Sequence, residues 1–404
     1  MLLSAAKMQT TNTRKICVVG LGYVGLPLAV ALGQKQEVFG FDISTARISE
    51  LKNNFDSRGE TSAEDIKKAR LVLDSDPNII RQADFIIVAV PTPIDKNNQP
   101  DITLLLQACR LVGQNMQPGA IVVYESTVYP GCTERDCVPI LAQESRLQYI
   151  KDFKVGYSPE RINPGDKLHT VDKIVKIVSA CDQESLKIIT AVYGMIIRAG
   201  LHQAPSIIVA EAAKIIENTQ RDINIALMNE LKMIFDKASI DWQEVIAAAS
   251  TKWNFMPFTP GLVGGHCIGV DPYYLAAEAK RLGHDPEVIL SGRKINDQMA
   301  IYEAQRLLKY MQTKGVPANA RLLILGGTFK PNVADTRNSK VADVIGILKK
   351  QGYQVNICEP FVNDNLFDCV NVSPEKIKDY AFVIKAVRHD IFKDIKADYE
   401  IIYN

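Results

Sequence analysis

Short apolar runs recur along the first half of the chain, separated by stretches with helical spacing. KICVVGL (15–21) predicts a strand, VGLPLAVALGQ (24–34) a helix and EVFGFD (37–42) a second strand. ADFIIVAV (83–90), AIVVYES (120–126), FKVGYS (153–158) and KIVKIVSA (173–180) predict further short strands. Continuous apolar strands alternating with helices predict a parallel sheet covered on both faces. The pattern changes near residue 200. No Pro or Gly interrupts residues 206–239, which predicts one long helix, and helical spacing continues with breaks to about residue 310. Then RLLILGG (321–327), YQVNICEP (353–360) and DYAFVIKAV (379–387) predict strands again, with a helix at VADVIGILKKQ (341–351). Residues 401–404 read as a strand cut short, so more chain is expected beyond them.

The fold class expected is α/β: two Rossmann-like, doubly wound domains joined by a central domain of long helices. The expected boundaries are a disordered leader at 1–14, a first α/β domain at 15–203, a helical domain at 204–312 and a second α/β domain at 313–404. No internal repeat or low-complexity segment competes with this reading.

Composition narrows the function. Forty-seven basic residues against 46 acidic give a net charge of +1, with no electrostatic footprint for nucleic acid or an anionic membrane. No apolar run approaches the ~20 residues that span a bilayer. The first 15 residues hold Lys7, Arg14 and Lys15 without an apolar stretch, unlike a signal peptide. Eight scattered cysteines with no CxxC pair suit reduced thiols, so a cytoplasmic setting is expected.

Gly20-x-Gly22-x-x-Gly25 follows a predicted strand and opens a predicted helix, the context of a dinucleotide-binding turn. Its glycines allow the tight turn, the approach of a pyrophosphate and close helix–strand packing. Asp42 ends the next strand, seventeen residues after Gly25. A carboxylate there accepts from ribose hydroxyls and repels a 2′-phosphate, favouring NAD over NADP, with Arg47 expected to flank the adenosine. Pro91-Thr92-Pro93 follows another strand, where Thr92 is expected to face the cofactor.

The segment 260–274, PGLVGGHCIGVDPYY, surrounds His266-Cys267 with Gly261, Gly264, Gly265 and Gly269. A thiol in such a loop is presented, and a thiolate suits attack on a carbonyl carbon. Asp271 could orient a water or a base. A metal site from His266, Cys267 and Asp271 is disfavoured, because adjacent residues fit poorly around one tetrahedral ion; an inert cysteine in a glycine-rich turn stays open. On the long helix, Glu211, Lys214, Asn218 and Arg221 share one face. They are either a solvated edge or a buried site where Lys214 and Asn218 stabilise developing negative charge. The loops at 158–167, with Glu160 and Arg161, and at 329–340, with Lys330, Asp335 and Arg337, carry charges suited to a site or to a phosphate, as many loops do.

Together these segments resemble the UDP-glucose/GDP-mannose dehydrogenase superfamily across residues 15–400. The resemblance rests on VVGLGYVGLPLA (18–29), VAVPTP (88–93), ESTVYPG (125–131), SPERINPG (158–165), EAAKIIENTQRDINIALMNE (211–230), GLVGGHCIGVDPYYL (261–275) and the FKPN…DTRNS loop. It resembles most the bacterial UDP-N-acetylhexosamine 6-dehydrogenases of capsule, Vi-antigen and O-antigen pathways. The thiol segment reads GGHCIGVD where the UDP-glucose branch usually reads GGSCFPKD.

The resemblance implies a four-electron oxidation of a UDP-GlcNAc or UDP-GalNAc C6 alcohol with two NAD⁺, through a cysteine thiohemiacetal and thioester. It implies Cys267 as nucleophile, Lys214 and Asn218 holding the C6 oxygen, Asp271 assisting water and protons, and Thr127 and Glu160 near the catalytic water. Cofactor contacts are implied for Gly20, Gly22, Tyr23, Val24, Gly25, Asp42, Arg47, Thr92, Thr127 and Arg337. Substrate contacts are implied for Glu160, Arg161, Lys214, Asn218, Gly264 and Lys330, with the C-terminal domain binding UDP and no metal. A homodimer or higher homo-oligomer through the central helices is implied too. UDP-glucose or UDP-ManNAc, or a two-electron 3-hydroxyacid-type reaction, are the alternatives.

Overall fold

The computed structural model describes residues 14–161 and 171–401. Residues 1–13 of the expected leader at 1–14, residues 162–167 of the Glu160 loop and residues 402–404 lie outside the described residues. Arg14, counted with the leader, is tied to the fold: its carbonyl accepts from Gln36, and its guanidinium pairs with Asp84.

The chain divides into two compact units, Met1–Glu217 with Tyr273–Arg281, and Asn218–Pro272 with Leu282–Asn404. The first holds an eight-stranded sheet. Its strands are β1 (Ile16–Val19), β2 (Val38–Phe41), β3 (Leu71–Asp74), β4 (Phe85–Val88), β5 (Ile121–Tyr124), β6 (Lys154–Tyr157), β7 (Lys176–Ala180) and β8 (Leu201–Gln203). Their order is β3-β2-β1-β4-β5-β6-β7-β8. Within β1, Ile16 and Val18 face one core while Cys17 and Val19 face the other, so the strand is apolar throughout.

The sheet is not wholly parallel as expected: β7 runs antiparallel to β6. A parallel neighbour needs a crossover, usually a helix. The apolar run that predicted β7 carries no information on strand direction. The sequence pattern also missed β3 and β8. Both are edge strands with exposed residues, so neither shows a continuous apolar run.

Neighbouring strands β1 and β4 send the chain in opposite directions, to β2 and to β5. Ligands bind outside the carboxyl ends at such a switch point. The glycine turn follows β1, and Pro91-Thr92-Pro93 follows β4.

The long helix spans Ile207–Ala238. The unit boundary falls inside it, after Glu217, because Ile207 and Ala210 belong to the first sheet's core. The second unit adds helices Trp242–Ala249 and Glu287–Thr313. Its sheet comprises β9 (Arg321–Leu325), β10 (Gln354–Cys358), β11 (Phe382–Lys385) and β12 (Tyr399–Glu400), all parallel in the order β10-β9-β11-β12. Helix Val341–Lys350 buries Val344, Ile345 and Leu348 against this sheet.

Candidate functional site

In the first unit, the glycine turn is built by close approach. A Cβ at Gly25 would lie 1.8 Å from the Gly20 carbonyl oxygen. A Cβ at Gly22 would meet nothing but the end of the Arg58 side chain. The space in front of Gly22 is therefore kept clear of fixed atoms, as a pyrophosphate requires. Tyr23 and Val24 continue this turn into helix Gly25–Gly33. Asp42 Oδ2 accepts from Leu21 N at 2.9 Å and Oδ1 from Ser44 N at 2.9 Å, so the carboxylate binds the turn to the end of β2. These residues fit a dinucleotide with free ribose hydroxyls.

Arg47 is only 5% exposed. Its Nε donates to the Leu21 carbonyl at 2.9 Å, and Nη1 pairs with Asp56 at 2.8 Å and Glu50 at 3.2 Å. The guanidinium braces the turn from within the fold.

Thr92, Thr127 and Glu160 follow the carboxyl ends of β4, β5 and β6, which are consecutive in the sheet. Ser126 Oγ ties two of these loops by donating to the Val90 carbonyl at 2.7 Å. Behind Glu160 lies a buried cluster that sequence reasoning missed. Lys176 Nζ donates to Glu125 Oε2 at 2.8 Å and to the Pro159 carbonyl at 3.0 Å, and lies 4.0 Å from Glu160. Tyr193 donates to Glu125 Oε1 at 2.5 Å. Burial pushes the Glu125 carboxyl up to about 7, although the Lys176 ammonium pulls it down. The only sequence signal was an acid and a lysine placed at the ends of apolar strands. Arg161 donates to the Val175 carbonyl at 2.7 Å and pairs with Glu217 at 2.8 Å.

The polar stripe of the long helix is not a solvated edge. Glu211, Lys214 and Asn218 are buried, at 0%, 7% and 9% exposure, and Arg221 alone is exposed. Glu211 accepts from Gly131 N at 2.5 Å and Thr133 N at 2.9 Å, fastening the ESTVYPG loop to the helix.

In the second unit, the thiol loop is gripped at its start. Asn229 Nδ2 donates to the Gly261 carbonyl at 3.0 Å, while its Oδ1 accepts from Gly261 N at 2.8 Å. Behind it, Asn296 bonds Asn229 and Asp222, and Arg293 pairs with Asp222. Cys267 is half-buried, and its carbonyl accepts from Asp271 N at 2.8 Å. Asn218 Nδ2 donates to Asp271 Oδ2 at 2.6 Å, bringing two of the expected residues into contact.

Arg337 and Gly264 are also brought to one place, because two loops interlock. Gly265 N donates to the Arg337 carbonyl at 3.2 Å, Asn338 Nδ2 to the Gly265 carbonyl at 3.0 Å, and a Cβ at Gly264 would lie 2.8 Å from the Asn338 carbonyl. Arg337 Nη2 lies 3.0 Å from His266 Nδ1 and 2.7 Å from Asp335. Burial pushes Asp335 up, but Arg337 beside it wins and holds the carboxyl below the usual range. His266 thus faces Arg337, while Asp271 accepts from Asn218. Lys330 lines a cleft with Thr328, Lys340 and Val387, at the carboxyl ends of β9 and β11.

A Rossmann sheet with a dinucleotide turn, a long central helix and a second parallel sheet define a nucleotide-dependent dehydrogenase. The chain belongs to the UDP-glucose/GDP-mannose dehydrogenase family. Residues 14–197 match that family's NAD binding domain, 208–298 its central domain and 323–403 its UDP binding domain. It is 52% identical to Protein CapL of Staphylococcus aureus, over 96% of this chain and 92% of that one. It is 50% identical to the UDP-N-acetyl-D-glucosamine 6-dehydrogenase of Salmonella typhi, over 95% and 92% of the two chains. Among solved structures it resembles UDP-D-ManNAc dehydrogenase from Pyrococcus horikoshii, with a TM-score of 0.86, 29% identity and coverage of 95% and 91%. The cofactor is NAD, bound by the first unit. Among the described residues no helix is long and apolar enough to cross a membrane.

Proposed function

We propose that the chain oxidises the C6 alcohol of a UDP-N-acetylhexosamine, UDP-GlcNAc foremost, to the uronic acid for surface polysaccharide biosynthesis. The choice of sugar is supported by the 50% identity to a UDP-N-acetyl-D-glucosamine 6-dehydrogenase over nearly the whole chain. The chemistry is carried by one observation: Cys267 is half-exposed on a loop that Asn229 fixes, with the bonded Asn218–Asp271 pair one turn away.

NAD⁺ supplies the hydride acceptor for both oxidations. Lys214 and Asn218 hold the C6 oxygen, and their positive charge and N–H group stabilise it as the alcohol loses its proton. The Cys267 sulfur adds to the aldehyde carbon, giving a thiohemiacetal whose oxygen takes up a proton. Loss of the remaining C6 hydride and that proton leaves a thioester. Water then attacks the thioester carbon, the C–S bond breaks, and the carboxylate leaves with Cys267 restored. Asp271 takes the water's proton, with Thr127 and Glu160 holding that water. Gly20, Gly22, Tyr23, Val24, Gly25, Asp42 and Thr92 bind the cofactor; Arg337 serves its nicotinamide side, and Arg47, which braces Leu21, lies on its adenosine side. Glu160, Arg161, Gly264 and Lys330 bind the nucleotide sugar.

The working domains are 15–203, 204–312 and 313–404. The protein works as a homodimer or higher homo-oligomer, supported by apolar side chains exposed at Leu227 and Ile234 on the long helix and at Trp253, 92% exposed. A cytoplasmic setting is supported by eight free cysteines.

The test is NADH formed per limiting sugar, followed at 340 nm with UDP-GlcNAc, UDP-GalNAc and UDP-glucose in turn. About two NADH per UDP-GlcNAc is the expected result. One per sugar would remove the covalent role of Cys267, and a ratio of two with UDP-glucose alone would replace the sugar.

A further inference from the structure

The turn that receives the cofactor has a neighbour outside its sequence motif. The loop after helix Thr45–Lys52 folds back over the glycine turn, and Asp56 organises it. One Asp56 oxygen accepts from Arg58 N at 3.2 Å, and the other from Glu60 N at 2.9 Å and Thr61 N at 3.0 Å. Arg47 locks this loop to the turn, since it holds Asp56 at 2.8 Å and the Leu21 carbonyl at 2.9 Å. Four linked groups thus fix where Arg58 starts from: Leu21, Arg47, Asp56 and the Arg58 backbone.

From there the Arg58 guanidinium reaches the space in front of Gly22. Its Nη1 stands 2.7 Å from where a Cβ of Gly22 would be, and its Cζ lies 5.3 Å from the centre of the Tyr23 ring. Among the described residues no carboxylate pairs with it. That space is the one a pyrophosphate enters when the middle glycine of this turn lets backbone and phosphate approach. The turn's own N–H groups open helix Gly25–Gly33, whose amino end already favours negative charge. A second positive group held at the same place repels that end unless an anion lies between them.

We infer that Arg58 is a diphosphate-binding residue, which shifts aside from the front of Gly22 and closes onto the cofactor's phosphate oxygens from the side opposite the turn. A guanidinium suits this, because its planar fork meets two phosphate oxygens at once. Arg47 and Asp56 are then positioning residues, acting through the loop that carries Arg58. The inference rests on the NAD assignment above and adds a contact from outside the glycine motif.

The test is calorimetric titration of the wild type, Arg58→Ala and Arg58→Lys with ADP-ribose, with adenosine affinity measured by competition. Arg58→Ala is expected to weaken ADP-ribose about 10- to 100-fold while leaving adenosine affinity and Tm unchanged. Arg58→Lys is expected to recover part of the loss, since a point charge replaces the fork. Unchanged or tighter ADP-ribose binding by Arg58→Ala would overturn the inference, making the side chain a bystander or a plug. An equal loss of adenosine affinity would overturn it too, because the loop would then serve the adenosine. A wild type that binds no ADP-ribose would instead overturn the cofactor assignment itself.

Discussion

Asn229 holds Gly261 by both faces of one amide: its Nδ2 donates to the Gly261 carbonyl and its Oδ1 accepts from the Gly261 N–H, at 3.0 and 2.8 Å. The pair fixes the start of the thiol loop six residues before Cys267. Asn229→Ala leaves both Gly261 groups and the Asn296 oxygen in search of partners. The expected cost is about 2–4 kcal/mol of stability in urea unfolding. The rate is expected to fall further than this accounts for, with NAD affinity unchanged, because the anchored thiol is lost and not the cofactor turn. A variant of normal turnover would show that the loop holds its shape without this grip.

Cys267→Ala removes the sulfur proposed to carry the thioester. The full four-electron reaction is expected to slow by at least about 10³-fold, as loss of a covalent nucleophile does elsewhere. Any residual turnover is expected to yield one NADH per sugar, not two. The measurement is product analysis by mass spectrometry alongside absorbance at 340 nm. Uronic acid formed at the wild-type rate would exclude a covalent cysteine.

Gly22 and Gly25 separate binding from folding. Gly25→Ala forces a Cβ to 1.8 Å from the Gly20 carbonyl, where backbone must move. It is expected to cost about 2 kcal/mol or more and to abolish NAD binding. Gly22→Ala meets only the end of a flexible side chain. Its stability is expected within about 0.5 kcal/mol of wild type, with NAD binding still severely weakened. Thermal melts with and without NAD⁺ distinguish the two. A Gly22→Ala chain that NAD⁺ stabilises as well as it stabilises the wild type would mean the phosphates do not approach there.

Burial pushes the Glu211 carboxyl up to about 7, although Thr133 and Gly131 donate to it. An unfolded glutamate titrates near 4.3. The folded chain therefore holds the proton more tightly. The group's contribution is complete below the unfolded pKa and is lost as pH rises to about 7. Glu211→Gln, which cannot ionise, lacks this slope. Between pH 4.5 and 8 the wild type is expected to lose stability relative to the variant by on the order of 3 kcal/mol. Urea unfolding of both chains at the two pH values measures it. A constant difference would mean that Glu211 is ionised throughout.

Much of the molecule is legible in its sequence. Both-face burial writes itself into sequence as unbroken apolar runs, so β1, β4 and β5 were visible, as was the long helix free of Pro and Gly. The glycine spacing and Asp42 were legible because a dinucleotide turn is local: its parts touch through neighbouring backbone. The thiol loop stood out for the same reason. Edge strands β3 and β8 were not legible, because half-exposed strands carry no such run. The direction of β7 was not, since strand polarity depends on where the chain returns. Periodicity could put Glu211, Lys214, Asn218 and Arg221 on one face but could not say whether that face meets water; packing buried three and left one outside. The partners of Arg47 were not legible either, and only the folded loop set its guanidinium against Leu21 and Asp56. Asn229 with Gly261, Glu125 with Lys176, and Arg58 with Gly22 are separated by 32, 51 and 36 residues. Such pairs leave no local signature, because a long-range hydrogen bond or close approach is specified by the packing of whole elements and not by the sequence around either partner.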